Sequence, residues 1–154
     1  VVYNPVTREE FTASRGRGAQ LNGRRIRVTS RTTLDGALLG TGIPFRSHQS
    51  EKLPAYVKVL ETLAPQTAGI RRAGSAALDL AYIAAGRFDA FWEMGLKPWD
   101  IAAGELIVKE AGGAVVDARG GNESFDNGQV IACSLKMLKP LMQAVVPAWG
   151  EAAK

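Results

Sequence analysis

The sequence predicts an α/β protein: a layered sandwich in which a mostly parallel sheet is flanked by helices and preceded by an antiparallel meander. Three observations carry this expectation. Residues 1–28 are short, strand-like segments separated by turn-forming residues. From residue 36 apolar strand-like runs alternate with helical periods, the mark of an α/β layer. A strand–loop–helix junction then stands at the centre of the chain, around Asp100. The 154 residues are 46% hydrophobic and 22% charged, enough for one domain with a sizeable core.

In order, Val1-Val2-Tyr3 reads as a strand and Asn4-Pro5-Val6-Thr7 as a turn. Glu10 to Ser14 alternates as a second strand, Arg15-Gly16-Arg17-Gly18 turns the chain, and Ala19-Gln20-Leu21 starts a third. Asn22-Gly23 signals a type I′ hairpin leading into Arg24 to Val28. The Gly16/Gly18 pair is read as turn residues, because no helix follows to make a phosphate cradle. Ala37 to Gly42 is an apolar strand closed by Pro44. Leu53, Tyr56, Val57, Leu60 and Leu63 then recur at helical spacing until Pro65. His48, the sole histidine, stands in a polar segment with no cysteine or second histidine nearby and reads as a surface residue.

Gly69-Ile70-Arg71-Arg72-Ala73-Gly74-Ser75-Ala76-Ala77-Leu78-Asp79 is site-like. Ser75 is a natural N-cap for a helix over Ala76 to Ala85, which Gly86 ends, and Gly74 bares the backbone before it. Arg71 and Arg72 precede the turn and are read as structural or subunit-contact residues. Phe88 to Met94 is a short aromatic-rich strand, Pro98 suits a first helical turn, and Ile101 to Ala111 is helical before Gly112-Gly113. Asp100 reads as an N-cap or as a functional carboxylate, and Glu93, on the strand feeding the same loop, favours the second. Gly104 inside a helix costs about 1 kcal/mol relative to Ala, so a packing or site reason is expected for it. Ala114 to Asp117 and Gln129 to Cys133 are the last strands, with a turn at Arg119 to Asn122. A helix capped by Ser134 is expected to become regular only near Pro140, or to kink there.

The net charge is +4, with arginines clustered at 15, 17, 24, 25, 27 and 31. Without aromatic interleaving or zinc spacing these read as a solvated basic face, and direct nucleic-acid binding is not expected. No run approaches eighteen apolar residues, so no membrane span is expected. The single cysteine, Cys133, lies in an apolar run and reads as core, which suits a reducing, cytoplasmic setting.

The stretch WDIAAGELIVKEAGG resembles the second signature of the inositol monophosphatase family, Trp-Asp-x-Ala-(Ala/Gly)-Gly followed by Glu-Ala-Gly-Gly. The likeness runs from VVYNP through RGRGAQLNGRRI and RRAGSAALDLAYIAAGRFDAFWEMG to the C-terminal helix, and it points to the bacterial branch. It implies Mg2+-dependent hydrolysis of inositol monophosphate or a related polyol phosphate by a cytoplasmic homodimer. Residue by residue, it implies Asp100 as catalytic metal ligand, Glu93 as acceptor from inositol hydroxyls, and Gly74, Ser75 and Ala76 along the substrate. Lys97 receives no role.

The family's first signature, Asp-Pro-(Ile/Leu)-Asp-Gly-Thr, and its upstream Glu-Glu pair occur nowhere in these residues. The resemblance therefore makes the chain the C-terminal portion of the fold. Residues 1–30 are a meander continuing an N-terminal sheet, 36–154 an α/β domain, and the 154 residues alone are expected to be inactive. Two other functions stay open: a non-catalytic partner of the transcription and antitermination machinery in ribosomal RNA synthesis, and a sister phosphatase acting on fructose 1,6-bisphosphate or a phosphonucleotide. Asp100 and Glu93 are expected on one open edge beside the helix starts near Ser75 and Asp100, with apolar meander surface exposed.

Overall fold

The computed structural model describes residues 1–44 and 47–149, with the side chains of Ser47 and His48 also outside the description. The reading of His48 as a surface residue thus lies outside the described residues. Strands β1 (Val2–Asn4), β2 (Glu9–Ser14), β3 (Gly18–Leu21) and β4 (Arg24–Arg25) form an antiparallel sheet in that order. Leu21 and Arg24 pair across Asn22 and Gly23, whose φ values of 48° and 76° are those of the type I′ turn. All six clustered arginines are exposed, the solvated face expected of them.

The second sheet holds β5 (Leu38–Thr41), β6 (Gly69–Arg71), β7 (Ala90–Met94), β8 (Gly113–Val116) and β9 (Gln129–Ser134), in the order β6-β5-β7-β9-β8. The mostly parallel sheet expected from the sequence is present and is mixed by one strand: β5, β6, β7 and β8 run in one direction and β9 runs against them. β5 runs parallel to β6 and β7, whereas β9 is antiparallel to both β7 and β8. The cause is the β8–β9 connection. Residues 117–128 contain only the one-turn helix α4 (Ser124–Asn127), not the packed crossover helix a parallel return needs. Asp117 organises that reversal: its carboxylate accepts from the backbone N–H groups of Arg119, Gly121 and Glu123 at 2.7, 2.9 and 3.1 Å.

Period-two alternation sends the strands' side chains to two cores. Leu39, Trp92, Ile131 and Cys133 pack with α1 (Leu53–Leu63) and α5 (Leu135–Trp149). Phe91, Val115, Val130 and Ala132 pack with α2 (Ala76–Ala84) and α3 (Pro98–Glu110). Phe11 and Ala19 of the meander close that second core from outside. The layers are thus helix, mixed sheet, helix and antiparallel sheet. Val1, Tyr3 and Val6, on β1 and its flanking turn, are exposed.

Three local expectations change. α5 begins at Leu135 and continues through both Pro140 and Pro147. The carbonyls deprived of N–H partners are those of Lys136 and Gln143, both exposed residues, so water can satisfy them. β6 falls inside the stretch read only as site-like. The Gly16–Gly18 turn does cradle an anion, but an internal one: the Glu110 carboxylate accepts from both glycine N–H groups at 2.7 Å, tying the meander to α3.

Candidate functional site

Glu93 stands two residues beyond Phe91 on β7, so alternation turns it to the α2/α3 side of the sheet at the strand's end. Gly42, just past β5, gives it room, since a Cβ there would overlap the Glu93 carboxylate. α2 starts beside it, with Ser75 Oγ accepting from Leu78 N at 3.4 Å as the N-cap. α3 starts at Pro98, and here the N-cap is Lys97, not Asp100. Asp100 is the third helical residue. Its Oδ2 accepts from Lys97 N at 2.9 Å, in the manner of a capping box.

These parts surround one cleft of about 390 Å3. Gly74, Ser75, Ala76, Glu93 and Asp100, each singled out from the sequence, all line it. Thr41, Gly42, Arg72, Asp79, Lys97 and Trp99 line it too, and sequence reasoning gave none of them a site role. Arg72, expected to be structural or a subunit contact, stands on the cleft wall because β6 carries the chain to the cleft mouth. Asp79 was visible as an acid in the first turn of a predicted helix, but its face was not. Thr41 is buried and donates to Trp92 O at 2.9 Å, holding β5 to β7 below the cleft.

The cleft is electrostatically loaded. Glu93 is pushed up to about 7, first by burial and then by the charges of Asp79 and Asp100, with Arg72 opposing. Asp79 is likewise pushed up to about 7 by burial, again with Arg72 opposing. The N-termini of α2 and α3 add partial positive charge, suited to a phosphate or another anion. Hard oxygen donors are what Mg2+ takes, and the Asp100 carboxylate is one. Among the described residues no three His, Cys, Asp or Glu side chains gather where they could hold a metal ion. The donors present fit one arm of a Mg2+ site and not a whole one.

Sheet order, layers and acidic cleft together define an α/β sandwich with a polar cleft between two helix N-termini. The chain belongs to the inositol monophosphatase family, whose model matches residues 1–149. It is 58% identical over 147 residues to a Pseudomonas aeruginosa protein named Nus factor SuhB, covering 96% of this chain and 54% of that one. Among solved structures, the extragenic suppressor protein suhB from Bartonella henselae superposes with a TM-score of 0.88 at 45% identity, covering 93% of this chain and 54% of that one. The inositol monophosphatase from Anabaena (Nostoc) sp. PCC 7120 does so at 0.87 and 34%, covering 99% and 61%. The chain thus spans little more than half the length of the relatives it matches. Among the described residues no helix is long and apolar enough to cross a membrane.

Proposed function

We propose that the complete protein hydrolyses a phosphate monoester of inositol or a related polyol at this cleft, in an Mg2+-dependent reaction. The observation that carries the reading is the gathering of Gly74, Ser75, Ala76, Glu93 and Asp100 around one cleft. In this reading the Asp100 carboxylate would hold Mg2+, while its Oδ2 also accepts from Lys97 N at the helix start. Glu93 accepts hydrogen bonds from ring hydroxyls, and the Gly74-Ser75-Ala76 backbone lies along the polyol. The helix N-termini favour the phosphate and orient it. Bound Mg2+ supplies the Lewis acidity and charge neutralisation that ester hydrolysis needs. The remaining metal ligands, and a homodimeric, cytoplasmic state, belong to the complete protein in the same reading.

A second reading is favoured by the relatives. A protein named Nus factor SuhB is 58% identical to this chain, whereas the structure named an inositol monophosphatase is 34% identical. Likeness therefore supports a role as partner of the transcription machinery in ribosomal RNA synthesis more directly than it supports catalysis. The exposed arginines of the meander suit an acidic partner.

Asp100→Asn in the complete protein separates the two readings. An amide oxygen can still accept from Lys97 N, so the stability loss should stay below about 1 kcal/mol. Mg2+-dependent hydrolysis should fall by about two orders of magnitude or more, because a charged ligand is lost. Ribosomal RNA transcription supported by the variant in cells should be unchanged if that role is non-catalytic. Near-normal turnover would return Asp100 to helix capping alone. Joint loss of turnover and transcription would make the second role depend on catalysis.

A further inference from the structure

Two aspartates of this chain are equally buried, at 1% exposure, and are treated in opposite ways by the fold. Asp117 accepts from three backbone N–H groups, which outweigh its burial and hold it below the usual carboxylate range. That is a structural carboxylate, fully paired. Asp79 lines the cleft, and its Oδ1 has no hydrogen-bond partner among the described residues. Burying an acceptor without a partner costs free energy that an apolar residue in the same helix would avoid. Neither neighbour removes the deficit. Arg72 is exposed and does not bond Oδ1, and Glu93 is a second acid that raises the cost.

We propose that Asp79 is a specificity-determining residue of the cleft, whose free carboxylate oxygen is completed by a hydroxyl of the bound ligand. Its position beside Glu93 makes the preferred ligand a phosphate ester carrying adjacent hydroxyls, one for each acid. This deepens the polyol-phosphate reading and rests on it. The physical logic is that of a site which leaves a buried acceptor unpaired when a hydroxyl-free analogue binds, and so rejects that analogue. The N-cap Ser75 and the first helical residue Ala76, one turn before Asp79, put only small side chains on that part of the cleft wall.

The test uses the complete protein and two esters of one ring size, inositol monophosphate and cyclohexyl phosphate. Asp79→Asn and Asp79→Leu are compared with wild type by kcat/KM for each ester. Binding without Mg2+ is followed through the fluorescence of Trp99, which stands 78% exposed on the cleft rim. The wild type should prefer the inositol ester. Asp79→Leu should lower that preference by about tenfold to a hundredfold, and Asp79→Asn by less, with cyclohexyl phosphate changed no more than about twofold in either. Thermal melting should find both variants at least as stable as wild type, as expected when a buried carboxyl with an unpaired oxygen is removed. If the wild type turns over neither ester, hydrolysis as the function fails, and the inference stands or falls on the binding ratio alone. No preference in the wild type, an unchanged ratio in Asp79→Leu, or equal loss on both esters overturns it.

Discussion

The acceptor role given to Glu93 hangs on a residue with no side chain. A Cβ at Gly42 would overlap the Glu93 carboxylate, which is the far end of a flexible side chain and can swing away. The backbone of Gly42 is not at positive φ, so alanine brings no strain of that kind. Gly42→Ala should therefore leave stability within about 1 kcal/mol of wild type. It should still lower kcat/KM for inositol monophosphate by about tenfold to a hundredfold, since a misplacement near 1 Å at a positioned group has that effect. Urea unfolding and steady-state kinetics on the complete protein read the two quantities separately. Normal turnover in a variant of normal stability would take Glu93 out of ligand recognition. Gly42 was readable as the end of an apolar strand, but its function was not. That function depends on β5 and β7 being neighbours, and the paired Thr41 and Trp92 are 51 positions apart in the chain.

At the scale of elements, sequence reasoning reached furthest where the signal is local. The Asn22-Gly23 turn, the Ser75 cap and the helix Leu53–Leu63 are each specified by residues a few positions apart. Strand direction is not local. Alternating strand and helical patterns predict the four strands that run one way, and the lack of a helical period between Val116 and Gln129 marks where the fifth turns back. That absence already argued for an antiparallel return. β6 is not legible because three residues carry too little periodicity, and the place of Arg72 just past it is lost with it, whereas Asp79 stands in a legible helix whose cleft-facing side only packing reveals. Gly104 was noticed without a partner, and α2 is the partner. A Cβ on Gly104 would stand 2.5 Å from Leu80 Cβ, an atom too close to its own backbone to swing aside. Gly104→Ala gains up to about 1 kcal/mol in helix propensity and loses about 1–3 kcal/mol to overpacking. The variant should therefore be destabilised by about 1–2 kcal/mol net in urea unfolding. Combining it with Leu80→Ala should cost less than the sum of the single changes, and strict additivity would place the strain elsewhere.

Across the whole molecule, the carboxylates that the fold perturbs fall into two sets that act on stability at different pH. Asp117 is held below its ordinary range by backbone N–H groups, despite burial, and Glu9 is held low by Arg87. Their contribution is present above the ordinary carboxylate range and fades as pH falls through their lowered folded values. Asp79 and Glu93, both raised to about 7, do the reverse. Between their ordinary values near 4 and about 7, the unfolded chain has released these protons and the folded chain retains them. The unfolded state thus binds fewer protons, and stability falls as pH rises across that window. Above about 7 both states are ionised and the loss levels off. In chelator-containing buffer of fixed ionic strength, Asp79→Asn should melt at nearly the wild-type temperature near pH 4. There the folded aspartic acid and the amide are both neutral. Its advantage over wild type should grow as pH rises to about 7 and then stay constant. An advantage that shrinks over this range would mean that Asp79 ionises more readily in the fold than in the open chain, and that the cleft floor is not the desolvated acid its geometry describes.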